Sequence, residues 1–249
     1  MNNSGDEAQI ITALSLANSS TSCSRFTIIG TYAEDFVGFL KHAALLKNPA
    51  SVSLDDSVDV WHTGPPIVSG PEAEAQFGGM QTVAHTIADC KLRPSECDAI
   101  VNFLASVDKY HRTASVLPLQ QYVIVPHHQW VVASETSRRI CRRFSCAGFV
   151  IEAFVSAGIQ LIDVDNLPLA SREEVEFAFP DFRRLEEAST RIQERVGFHG
   201  MEDFGITGDG PWPIALPGYL FHACDRGEIA GAFTTYTVPS VDRARFPTL

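Results

Sequence analysis

The sequence predicts an α+β domain, an antiparallel or mixed sheet packed against a central helix that starts at Cys146, and three observations carry that expectation. Strand-like runs rich in Val, Ile, Thr and aromatic residues crowd the first half of the chain. One strongly apolar helical run follows them. The composition, 45% hydrophobic and 20% charged over 249 residues, is that of a globular chain long enough for one large domain.

Residues 1–24 are rich in Ser, Asn and Ala, and close on Asn18-Ser19-Ser20-Thr21-Ser22, too polar to offset the entropy of ordering. They read as a flexible tail before a single domain over 25–249. Strands are expected at 25–31, 57–62, 81–88, 119–125 and 129–133, each bounded by Pro, Gly or Asp. Residues 34–46 are apolar nearly all round, so periodicity does not separate a buried helix from a strand there. A helix opens at Pro94-Ser95-Glu96-Cys97-Asp98, with Ser95 as cap and Asp98 returning the bond. Its apolar positions Cys97, Ile100, Val101, Leu104 and Val107 share one face. A second helix runs over 146–157 and stops at Gly158, and a third, charged and amphipathic, runs over 181–196 with Gly197 as terminator. After a Gly- and Pro-rich stretch from Thr207 come a short helix past Pro217 and a last strand over 232–238.

A formal charge of −11 and a pI near 5.1 oppose binding to nucleic acid or anionic lipid, which needs clustered cations. The one basic group, Arg138, Arg139, Arg142 and Arg143, suits ion pairs or a local positive pocket. Asp6 and Glu7, with no positive flank, do not make a secretory signal, and no apolar window reaches the length of a membrane span. The six cysteines (23, 90, 97, 141, 146 and 224) have no regular spacing. This favours reduced thiols and a cytoplasmic address, and it lacks the paired short spacings of a zinc site, so neither metal nor cofactor is expected. There is no Gly-x-Ser-x-Gly elbow, phosphate loop or dinucleotide fingerprint.

The stretch that carries chemistry is Arg143-Phe144-Ser145-Cys146-Ala147-Gly148-Phe149-Val150-Ile151-Glu152-Ala153-Phe154. Ser145 is a favoured N-cap, which puts Cys146 in the first turn, where the helix dipole lowers a thiol pKa. Phe149, Val150, Ala153, Phe154 and Ala157 form the apolar stripe that buries the helix. Gly148 costs roughly 1 kcal/mol relative to Ala inside a helix, so another segment is expected to approach there closely. The plainer reading is that Cys146 is a small apolar residue at a buried helix start.

Ser145-Cys146-Ala147-Gly148-Phe149-Val150 resembles the Cys-Ser-Gly-Phe-Val segment of NlpC-type papain-like cysteine peptidases, in which the cysteine begins the central helix. The likeness covers some 17 residues, and its specific part is Cys146, Gly148 and Phe149; Ser145 stands where that family often has Asp. A thiol nucleophile needs a histidine as base and an orienting partner. Downstream of Cys146 lie only His199 and His222, neither on an expected strand, which points to circularly permuted relatives. Trp61-His62-Thr63-Gly64 is similar to the Trp-His-Thr segment of permuted PPPDE-type isopeptidases, and Phe77-Gly78-Gly79-Met80 to their Gly-rich turn; those proteins carry Asn-Cys where this chain has Ser145-Cys146. The resemblance implies Cys146 as nucleophile and His62 as base, with His85 able to orient it across the sheet. His128, in Pro126-His127-His128, is the rival base, with His199 a further one. The activity implied is hydrolysis or transfer at an amide, peptide or isopeptide bond, on a peptide, a protein conjugate or an acyl-amide small molecule. The alternative is a catalytically silent papain-like domain that binds a protein or peptide partner.

Overall fold

Alternating side chains in the first third of the chain build a five-stranded sheet that is apolar on both faces. Its strands are β1 (Phe26–Tyr32), β2 (Leu40–Lys47), β3 (Asp59–Thr63), β4 (Ile67–Ser69) and β5 (His85–Asp89), in the order β4-β3-β2-β1-β5 with every pair antiparallel. The computed structural model describes residues 26–32, 40–47, 59–63, 67–70, 73, 85–89, 92–111, 123–132, 140–196, 198–225, 228–229 and 232–233. The expected tail over 1–24 lies outside them, as do the expected strand residues 25, 57–58, 81–84, 119–122, 133 and 234–238.

The apolar stretch without a period is explained by β2. Ala43, Ala44, Leu45 and Leu46 are all 0% exposed, so successive side chains, which point to opposite faces of a strand, are equally buried. Phe26, Ile28, Ala43 and Leu45 belong to the main apolar cluster, with Trp61 packed against it. Their neighbours Thr27, Ile29, Ala44, Leu46, Val60 and His62 are buried on the other face.

Two helices cover the first of these faces. After α1 (Pro94–His111) and the two-stranded ribbon β6 (Gln129–Val132) and β7 (Ile140–Arg143), α2 (Cys146–Ser156) packs against α1, β2 and β3. The chain continues through β8 (Leu169–Ala170), α3 (Arg172–Ala178), α4 (Pro180–Glu186), α5 (Thr190–Val196) and β9 (Trp212–Pro213) to α6 (Pro217–Asp225), which covers β1, β2 and β5. A short hairpin, β10 (Glu228–Ile229) and β11 (Ala232–Phe233), follows.

Three sequence expectations are modified. The α1 cap is Arg93 with Glu96, not Ser95 with Asp98: Pro94 takes the first helical position, and the Glu96 carboxylate accepts from the Arg93 backbone N–H at 2.7 Å. Burial pushes the Glu96 carboxyl pKa up, but the hydrogen bonds and charge of Arg93 outweigh it and hold the group below its ordinary value. The face predicted for α1 is the one observed, with Cys97, Ile100, Leu104 and Val107 buried. The expected helix over 181–196 is instead α4 and α5, with Gln193 Nε2 donating to the end carbonyls of Leu185 (2.8 Å) and Glu186 (3.3 Å) across the break. Ahead of them α3 has its own capping box, Ser171 with Glu174. Residues 123–125 are irregular where a strand was expected, because their amides diverge: Val123 donates to Phe144 and Ile124 to Phe204. Gly158 ends α2 as expected, at φ 75°, in the left-handed region that favours glycine. No helix among the described residues is long and apolar enough to cross a membrane.

Candidate functional site

The start of α2 is built as its residues require. Ser145 Oγ accepts the Gly148 N–H at 2.8 Å and the Ser145 carbonyl accepts from Phe149, so Cys146 occupies the first helical position. Cys146 is 3% exposed, and neither it nor the buried Cys97 is in a disulfide. A Cβ on Gly148 would stand 2.8 Å from Ser145 Oγ, 3.1 Å from the Pro126 carbonyl oxygen and 3.5 Å from that of Val125. The segment that approaches the helix at its glycine is therefore 125–126, which leads directly into His127 and His128.

Two stripes of α2 divide its chemistry. Cys146, Val150 and Ala153 follow one another at helical spacing, and Val150 and Ala153 are fully buried in the core. Ser145, Gly148 and Glu152 form the second stripe, which faces the 125–128 segment. Cys146 lies roughly 120° to 160° around the helix from Gly148 and Glu152, at 100° per residue.

The sheet histidines lie elsewhere. Side-chain alternation places His62 with Val60, Ala44 and Leu46, on the face opposite Leu45 and Trp61 and hence opposite α2. His62 is fully buried there, its Nδ1 3.1 Å from His42 Nε2, with the two rings edge to face at 5.1 Å. The register position of His85 is opposite Thr31, and Thr31 is opposite His42, so His85 belongs to the same row. β2 and β1 separate His62 from His85, a distance of about 14 Å at the usual strand spacing. The structure thus brings His62 to His42 and does not bring His62 to the face of the sheet on which the Cys146 helix packs. Burial pushes the His62 pKa down to about 4, with a backbone hydrogen bond to Ala73 acting in the opposite sense.

The histidine beside α2 is His128. Its Nδ1 lies 2.9 Å from Glu152 Oε1, and its backbone N–H donates to the same oxygen at 3.4 Å. The imidazole packs on Phe144 at 6.0 Å between centroids and meets Trp130 edge-on at 5.6 Å. Arg142 lies over Phe103, Trp130 and Phe144, 5.1 to 5.8 Å from their centroids, and donates to Ser106 Oγ. Arg143 donates to the Asp203 carbonyl and to Gln129 Oε1. These two arginines hold aromatic rings and loop backbone, and Arg138 and Arg139, the rest of the basic group, lie outside the described residues. His199 is exposed, and its backbone N–H donates to the Asp203 carboxylate.

Two partners escaped the sequence reading. His42 sat in the stretch whose conformation periodicity left open. Glu152 had a signal: it is the sole charged residue in the eleven-residue apolar helix, and a charge in such a place needs a partner. Comparison with family models, with curated proteins and with solved structures finds no match to this chain.

Proposed function

We propose that the chain is a thiol-dependent hydrolase or acyl transferase of papain-like organisation, with Cys146 as nucleophile and His128, oriented by Glu152, as its base. The observation that carries this reading is the 2.9 Å His128–Glu152 pair, mounted on the helix that Cys146 opens. A carboxylate on Nδ1 makes that nitrogen the donor and leaves Nε2 to take a proton. Cys146 at the first helical position has the dipole of an eleven-residue helix behind it, which favours thiolate. In this scheme the sulfur attacks an amide carbonyl carbon while His128 accepts the thiol proton. The proton then passes to the departing amine, and water or an acceptor amine releases the acyl group from the thioester. Because Cys146 and Glu152 lie on different stripes, catalysis in this scheme requires the 125–128 segment to shift His128 over the helix start. Peptides, isopeptide-linked conjugates and acyl-amides are the substrate classes that fit this chemistry.

A second reading is favoured by the 3% exposure of Cys146 on a core-facing stripe, against 57% for Trp130 beside His128. Here the thiol only packs, and the Trp130 surface of a catalytically silent domain binds a protein or peptide. Iodoacetamide labelling near pH 6, followed by mass spectrometry at each cysteine, separates the two. The hydrolase reading expects Cys146 to label at least tenfold faster than Cys97, and to slow in His128→Ala and Glu152→Gln but not in His62→Ala. Equal, slow labelling of Cys146 and Cys97 in the folded chain would leave only the binding domain.

A further inference from the structure

We infer that the outer edge of β6 binds an extended acidic peptide, which adds to the β6–β7 ribbon as a third strand and packs on Trp130. The inference rests on the hydrolase reading only for the fate of that peptide beside His128; the binding itself is measured apart from Cys146.

A strand carries backbone donors and acceptors on two sides, and β6 is served on one. Among the described residues β6 pairs with β7 alone, in an unbroken antiparallel register. In such a pair alternate residues turn both N–H and C=O away from the partner, so half of this four-residue strand faces outward. β7 packs against α1, which leaves β6 as the outer strand. The devices that blunt an exposed edge are lacking: Gln129-Trp130-Val131-Val132 contains no Pro or Lys, and its register has no bulge. An extended chain is the partner that matches a row of alternate amides and carbonyls.

Side chains fix the ribbon and leave one ring open. Trp130 and Arg142 stand directly opposite and share one face, and Gln129 and Arg143 share the other. Arg142 anchors the first face to Phe103 and Ser106 of α1, and Arg143 anchors the second to the Asp203 carbonyl. Trp130 is nevertheless 57% exposed. Flanked by Arg142 at 5.5 Å and His128 at 5.6 Å, its ring is preorganised to receive a side chain from a third strand. Charge names the class of peptide. Residues 127–132 and 140–143 include His127, His128, Arg142 and Arg143 and no carboxylate, in a chain of formal charge −11. A second copy pairing edge to edge would set these cations against one another, whereas an acidic peptide meets them with opposite charge. Because β6 begins directly after His128, a peptide on its edge runs past the base of the proposed reaction.

The test uses the full chain, first alone. Amide hydrogen exchange over β6, read by NMR, should alternate, the outward amides exchanging at least about a hundredfold faster than those bonded to β7. Protection of all four would show the edge already covered, by the chain itself or by a second copy, and would overturn the proposal. The probe is then a capped, fluorescein-labelled heptapeptide, Thr-Glu-Val-Tyr-Val-Glu-Thr, titrated by anisotropy. It should bind and protect the outward amides. Affinity should fall at least about tenfold on N-methylation of its central amides, on replacement of both its Glu by Lys, and in Trp130→Ala. A thermal melt shows whether that variant folds, and the changes to the peptide need no variant at all. Failure of the probe to bind, or binding unchanged by N-methylation or by folded Trp130→Ala, would overturn the edge site. Fast Cys146 labelling without peptide binding would leave the hydrolase reading standing, and peptide binding with slow labelling would leave only the edge.

Discussion

The two histidine sites of this molecule differ in what surrounds them, and the difference decides what each can do. His62 sits fully buried on the far face of the sheet, its pKa pushed down to about 4 by burial and its Nδ1 facing a second histidine. His128 sits half-buried outside the core, its Nδ1 facing a carboxylate, with an exposed Trp130 beside it. An imidazole that stays neutral suits a structural hydrogen bond. One oriented by a carboxylate near solvent suits proton transfer. Two histidines of one chain are thus held in opposite chemical surroundings.

The largest expected effect is that of acid on His62. The folded His62 pKa of about 4 lies below the ordinary value of 6.5, so the unfolded chain binds the extra proton first as pH falls. The stability linked to His62 is fully present above pH 6.5 and is lost as pH falls from 6.5 to about 4, with a maximum of about 3 kcal/mol. Urea unfolding of the chain at pH 7 and pH 4.5 should show this slope, and His62→Phe should flatten it. A slope unchanged by that substitution would mean that His62 is not buried neutral.

Next in size is a change aimed at the other site. Gly148→Val places side-chain atoms against the Pro126 carbonyl and Ser145 Oγ, contacts that backbone on one side cannot relieve without moving. A loss of about 2 kcal/mol is expected from this overpacking, together with loss of the His128–Glu152 pair, visible as a changed His128 imidazole chemical shift by NMR. An unaltered His128 signal would show that residues 125–128 are not held by the helix start. The smallest effect belongs to Ser145→Ala, which removes the cap on the Gly148 N–H and should cost about 1 kcal/mol in urea unfolding. It should also slow Cys146 labelling by loosening the first turn, while leaving the acid slope from His62 intact. A loss of that slope would couple two regions that lie on opposite faces of the sheet.

Much of the helix that carries Cys146 was readable in advance. The expected span 146–157 differs from the observed Cys146–Ser156 by one residue, Ser145 is the cap, and the glycine that seemed costly is the point of close approach. Local chemistry suffices for these, since capping and chain termination involve only neighbours along the chain. The partner of that helix was not readable. His62 and His85 were expected to share a face, and their register positions do. Which face that would be depends on Ala43, Ala44, Leu45 and Leu46, which are equally apolar and equally buried and so carry no alternation. A lone charge among apolar neighbours pointed from Glu152 to a partner, but not to which of eight histidines.

By itself, the sequence determined the strands β1 and β3, the buried face of α1, and a thiol held at a capped helix start, because each depends on residues within a turn or two of one another. Only the tertiary structure decided that α2 lies across the sheet from His62 and beside His128. A pleated strand offers two faces that differ by a single residue of register, and packing against distant helices, not local propensity, selects between them.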